Sequence, residues 1–268
     1  MSKITITFEK LKQLNKSALI PFITAGDPSP TVTVSLMNAL VENGADMIEL
    51  GIPFSDPMAD GPVIQRASER ALKNKVGIKD TIKLAKEFRK TNKETPLILM
   101  GYANPIEAIG VENFIVLIKE AQIDGVITVD YPPEESREFV KKLNKEEIDS
   151  IFLLSPTTED ERIKLIVKQA SGFLYYVSLK GVTGAGNIDI NQVSQKVKNI
   201  QRYSDLPIAV GFGVRDPKTA KAVSEISDAV VIGSRIVKEI EESEKIEIIP
   251  NVKKLMHSMK IAIDSSST

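Results

Sequence analysis

The sequence predicts an α/β fold, a (β/α)8 TIM barrel with extra helices. Three observations carry this reading. Eight short apolar runs recur along the chain, each followed by a stretch of helical periodicity. Strands that alternate with helices build parallel sheets. The 268 residues contain no linker or composition break, so the eight units are read as one barrel domain spanning residues 1–268. A doubly wound open sheet is the competing arrangement.

In chain order, Ile6 to Leu14 is read as a leading helix, and Ala18 to Thr24 as the first strand, ended by Ala25-Gly26-Asp27-Pro28. Val32, Leu36, Ala39 and Leu40 recur at helical spacing up to Gly44. The second strand runs to Leu50, and two helices follow it, over Ile64–Lys73 and Ile78–Arg89, one more than a simple connection needs. The third strand is Pro96–Met100, with Gly101 to Pro105 read as a loop before a helix from Val111. The fourth is Gly125–Val129, with a helix beginning near Glu134, and the fifth is Ile151–Leu154. After it, Thr158 and Glu161 have capping-box spacing. Phe173–Val177 is the sixth strand, followed by a glycine-rich loop over Leu179–Ile188. Ile208–Val210 is the seventh, with Asp216-Pro217 capping the next helix. Asp228–Ile232 is the eighth, and Ile249–Ile263 forms a last helix.

Composition narrows the function. There is no cysteine, so disulfides and thiolate chemistry are excluded. The one histidine, His257, rules out a multi-histidine metal site and is expected on a lysine-rich helix surface. The 35 basic and 36 acidic residues nearly cancel, which argues against a nucleic-acid-binding surface. No apolar run reaches the roughly 18 residues that span a bilayer, and residues 1–16 lack a signal-peptide core. The reading is a soluble, cytoplasmic protein that binds neither nucleic acid nor membrane.

The most unusual stretch is 46–62. Met47 to Leu50 is an apolar strand interrupted by Glu49, and a buried carboxylate is costly unless paired or protonated. Side chains alternate along a strand. If Ile48 and Leu50 pack outward under helices, Met47 and Glu49 point into the enclosed space. A loop stiffened by Pro53 and Pro57 then delivers Asp60. Two carboxylates in different environments can serve as acid and base in one site. The plainer alternatives are a hydrogen-bonded structural acid at Glu49 and a helix cap at Asp60.

Glycines form a second constellation: Gly181, Gly184 and Gly186 after the sixth strand, Gly211-Phe212-Gly213 after the seventh, and Gly233-Ser234 opening a helix after the eighth. Glycine lets backbone N–H groups approach an anion, and the loops after the seventh and eighth strands of such a barrel are its usual phosphate site. No GxxxxGK[ST] sequence supports a nucleotide triphosphatase.

The segment from Glu49 to Gln65, ELGIPFSDPMADGPVIQ, resembles the signature of the tryptophan synthase alpha subunit family. Pro21–Pro28, Met100–Pro105, Gly181–Gly184, Gly211–Gly213 and Gly233-Ser234 extend the resemblance over nearly the whole chain. It implies a lyase that cleaves indole-3-glycerol phosphate into indole and glyceraldehyde 3-phosphate. It also implies a beta-subunit partner that holds pyridoxal phosphate and receives the indole, in an alpha2beta2 assembly. No metal or organic cofactor is expected in this chain.

The resemblance further implies residue roles. Glu49 and Asp60 are the catalytic pair. Phe22 and Phe212 are apolar walls for the indole, joined by Ile64 and Met100. Tyr102 is a substrate contact, Tyr175 orients Glu49 or the glycerol chain, and Thr183 bonds Asp60 on loop closure. Gly184, Gly213, Gly233 and Ser234 hold the phosphate. Ala103, Arg215 and Arg235 depart from the family pattern. Two other functions compete: a free-standing phosphosugar lyase or isomerase on the same barrel, and a non-catalytic scaffolding subunit. Activation by a beta subunit separates the first; in the second the catalytic acids would be free to vary, yet both are present within the surrounding signature.

Overall fold

The structure is a computed structural model, and it describes residues 1–177, 189–211 and 213–265. In chain order the elements are α1 (Lys3–Gln13), β1 (Ala18–Thr24), α2 (Pro30–Glu42), β2 (Ile48–Gly51), α3 (Pro62–Lys73), α4 (Ile78–Arg89), β3 (Leu97–Gly101), α5 (Ala103–Ile109), α6 (Val111–Glu120), β4 (Gly125–Thr128), α7 (Arg137–Lys145), β5 (Asp149–Leu154), α8 (Asp160–Val167), β6 (Leu174–Val177), α9 (Ile190–Gln201), β7 (Ile208–Gly211), α10 (Pro217–Ser224), β8 (Ala229–Ile232), α11 (Ser234–Glu242) and α12 (Ile248–Asp264).

The eight strands close in sequence order, with β8 pairing back onto β1, and every pair is parallel. Closure leaves no strand edge, which removes the pairing liability of an open sheet. The expected (β/α)8 barrel is therefore what forms, and the open doubly wound sheet is not.

Two faces of each strand give two cores. Ile23, Ile48, Leu50, Leu99 and Val210 pack outward against the helices. Ile20, Met47, Ile98, Ile127, Ile151 and Tyr175 point inward. This is the alternation expected for β2, with Met47 inward and its neighbours outward. Helix α1 seals the N-terminal end of the barrel, because Ile4, Phe8 and Leu11 join the inward cluster. The seal is tight: a Cβ added at Gly125 would lie 2.9 Å from Ile4 Cδ1 and 2.8 Å from Ile151 Cδ1.

Two local expectations are corrected. Residues 103–109 are helical rather than a loop. Pro105 stands third in α5, where an N–H has no intrahelical acceptor anyway, so proline costs little there. The Thr158–Glu161 capping box does not form. Glu159 precedes the first residue of α8, no side chain caps that helix, and Thr158 Oγ1 instead accepts the N–H of Ser155 at 2.9 Å. The cap at Asp216 does form, with Asp216 Oδ1 accepting the N–H of Thr219 at 2.8 Å.

Candidate active site

Glu49 lies on the inward face of β2, level with Phe22 of β1 and Ile98 of β3. It is 0 % exposed. Neither carboxylate oxygen has a hydrogen-bond partner. That rules out the hydrogen-bonded structural acid. Burial without compensation pushes its pKa from the usual 4.5 up to about 8. At neutral pH the group holds its proton.

Asp60 arrives on the loop between β2 and α3. It does not cap α3: Gly61 precedes the helix, and no side chain caps it. Its Oδ2 instead accepts the hydroxyl of Tyr102 at 3.0 Å, and that hydroxyl accepts the N–H of Ala59 at 3.0 Å. Burial pushes the Asp60 carboxyl up, and the Tyr102 hydrogen bond pulls it down. Tyr102 is thus built into the carboxylate's support, and its ring lies 5.3 Å from that of Phe54. The Tyr102–Asp60 contact joins positions 42 residues apart, and only the paired register of β2 and β3 brings them together.

Tyr175 points inward from β6 and is buried. Burial first, then the charges of Glu49 and Asp60, push its hydroxyl well up, so it stays protonated and faces both acids. Its ring depends on Gly211 of the neighbouring strand, where an added Cβ would lie 2.3 Å from the Tyr175 hydroxyl oxygen. Gly51 does the same for Phe22, with an added Cβ 2.5 Å from Cζ. Gly51, which follows the apolar run of the second strand, and Gly211, read from the sequence as a phosphate-loop residue, are therefore seats for aromatic rings. Phe22 clusters with Ile64, Val63 and Met100. These include three of the four expected walls for an indole.

The described residues expected to hold a phosphate lie after β7 and β8, where a (β/α)8 barrel usually binds one. Gly213 has φ +82°, a left-handed conformation that favours glycine. Gly233 precedes α11, which starts at Ser234 with no side-chain cap, so no side chain competes for its first-turn N–H groups, which are suited to an anion. Phe22 lies beside it, 3.5 Å from a Cβ placed on Gly233. Arg235 is engaged by Glu239 at 2.6 Å, and Arg215 lies beside Asp216. Thr183, Gly184 and Phe212 lie outside the described residues, as does the rest of the 178–188 segment. Among the described residues, no cluster of His, Cys, Asp or Glu is placed to hold a metal, and no helix is long and apolar enough to cross a membrane.

A (β/α)8 barrel that buries one uncompensated acid on its second strand, and holds a second carboxylate, on the loop after that strand, by a tyrosine, has the make-up of an acid–base enzyme of this class. Comparison with known proteins gives the family. The family model for the tryptophan synthase alpha chain matches residues 8–264. The alpha chain of Nitrosomonas europaea is 55 % identical over 267 residues, covering 100 % of this chain and 97 % of that one. The alpha chain of a Janthinobacterium species is 56 % identical over 264 residues, covering 98 % and 100 %. The crystal structure of the alpha subunit from Legionella pneumophila superposes with a TM-score of 0.93 at 45 % identity, covering 99 % of each chain. The chain belongs to the tryptophan synthase alpha chain family, lyases that cleave indole-3-glycerol phosphate and pass indole to a beta subunit.

Proposed function

We propose that Glu49 is both the acid and the base of this cleavage, and that Asp60 carries the ring nitrogen. The observation that carries the reading is the state of Glu49: fully buried, without a hydrogen bond, with its pKa raised to about 8. A protonated carboxyl in that setting can give its proton to the ring carbon that bears the glycerol chain. The ring becomes cationic. Asp60, held by Tyr102, accepts the indole N–H and offsets the charge. Glu49 is now a carboxylate in an apolar pocket and accepts no hydrogen bond, hence a strong base. It removes the proton of the hydroxyl on the adjoining chain carbon. As that C–O becomes a carbonyl, the carbon–carbon bond breaks, and its electron pair restores the aromatic ring. Indole and glyceraldehyde 3-phosphate leave, and Glu49 is again protonated.

On this reading Phe22, Ile64 and Met100 hold the indole, and Gly213, Gly233 and Ser234 hold the phosphate through backbone N–H groups. The roles of Thr183, Gly184 and Phe212 rest on the family resemblance. The chain's own side chains supply the chemistry, and pyridoxal phosphate belongs to the beta partner of an alpha2beta2 assembly. The test is indole release from indole-3-glycerol phosphate by the wild type and by Glu49→Gln, each with and without a beta subunit. Slow release alone, activation by the partner and a loss of at least ~10²-fold in the variant are expected. Undiminished release by Glu49→Gln removes the assignment.

A further inference from the structure

Of the buried side-chain atoms without a hydrogen bond on β1 and β2, the mechanism uses those of Glu49 and leaves that of Thr24 without a role. Thr24 is the last residue of β1 and is 2 % exposed. Its Oγ1 has no hydrogen-bond partner, an oddity it shares with Glu49 alone among the residues at the C-terminal ends of β1 and β2. Burying a hydroxyl without a partner costs free energy, and polar groups left in that state are where a ligand is awaited.

Its position says which ligand atom. Ile23 packs outward, and Phe22 belongs to the apolar cluster at the mouth, so alternation puts Thr24 on the inward face. The register pairs Phe22 with Glu49 and Thr24 with Gly51. Thr24 is therefore one inward step nearer the mouth than Glu49, on the adjacent strand. On its other side β1 pairs with β8, which leads into Gly233 and Ser234. The strand carrying Thr24 thus separates the acid from the phosphate helix. A substrate stretched between them carries two chain hydroxyls. One sits on the reacting carbon and is claimed by Glu49. The other lies between that carbon and the phosphate.

We propose that Thr24 is a substrate-positioning residue whose hydroxyl bonds the chain hydroxyl lying between the reacting carbon and the phosphate. The proposal rests on the lyase reading above. That hydroxyl is neither made nor broken in the reaction. Holding it fixes the torsion that aligns the scissile bond with the ring, and misalignment at such a centre is expensive in rate.

The test compares Thr24→Val, which keeps the shape and removes the hydroxyl, with Thr24→Ser, which keeps the hydroxyl. Cleavage of indole-3-glycerol phosphate is measured together with binding of indole-3-propanol phosphate, whose chain carries no hydroxyl. Thr24→Val is expected to lose about 10-fold in kcat/KM and to bind the propanol phosphate as the wild type does. Thr24→Ser is expected to retain most of the activity. Wild-type kcat/KM in Thr24→Val overturns the proposal, and so does equal weakening toward both ligands, which marks a packing role. A wild type that releases no indole in the same assay overturns the lyase reading itself, and this proposal with it.

Discussion

The Tyr102 hydroxyl donates to Asp60 Oδ2 while accepting from the Ala59 N–H, each at 3.0 Å. One phenol thereby fixes both a carboxylate and the backbone beside it. Burial raises the Asp60 carboxyl, and the Tyr102 hydrogen bond pulls it back down and so favours the ion. Tyr102→Phe removes the donor, so the Asp60 carboxyl rises further. The acid limb of the pH–rate profile should move to higher pH, and kcat/KM should fall about 10-fold, in line with a hydrogen bond to a charged group. An unchanged acid limb would separate Tyr102 from the chemistry.

Glu49 makes stability depend on pH in a direction opposite to most carboxylates. Its folded pKa, about 8, lies above the usual 4.5. Below 4.5 both folded and unfolded chains hold the proton, and stability is full. Between 4.5 and 8 the unfolded chain releases it and the folded chain does not. Folding therefore weakens as pH rises, by about 1.4 kcal/mol per unit from this one group. Above 8 the loss is complete. Urea unfolding of wild type and Glu49→Gln at pH 5 and pH 8 isolates the effect, because other groups cancel in the difference. The variant should gain on the wild type at the higher pH.

Gly211→Ala places a methyl group 2.3 Å from the Tyr175 hydroxyl oxygen. The strand is rigid, so the ring must move. Activity should fall more than 10-fold with a stability cost of ~1–3 kcal/mol for overpacking. Gly77→Ala is the control: nothing lies within 4 Å of its added Cβ, and activity should be unchanged. Steady-state kinetics with thermal melts decides between the two.

Arg70 grips Asp27 with Nε and Nη2, at 2.6 and 2.9 Å, and reaches Glu241 of α11 with Nη1 at 2.6 Å. Asp27 is 1 % exposed. Arg70→Met strands that carboxylate and should cost ~3–5 kcal/mol. Arg66 also pairs with Glu241, but at the surface, so Arg66→Met should cost less than about 1 kcal/mol. Equal losses in chemical denaturation would contradict the burial argument.

What was legible in the sequence was local. Glu49 stood out because one acid interrupts an apolar strand, and alternation alone gave its direction. Asp216 announced its cap. The barrel followed from repetition. What was hidden depended on residues far apart in the chain. No spacing rule joins Tyr102 to Asp60, so the tyrosine read as a substrate contact. The sequence around Gly51 and Gly211 does not show the rings they seat, because those rings belong to neighbouring strands. The Thr158 capping box has the right letters, but a nearer donor, the Ser155 N–H, takes the hydroxyl. Helix α5 was missed because Asn104-Pro105 reads as a breaker, although proline in a first turn breaks nothing.

Helix α1 touches none of these residues, yet it decides the direction of traffic. With Ile4 wedged so closely that Gly125 has no room for a methyl group, the packed N-terminal end of the barrel offers no way out. A small apolar product set free beside Glu49 must therefore leave by the opposite end, where the loop after β2 bears Phe54 and the 85 % exposed Met58. Whatever receives that product has to meet it at this end of the barrel.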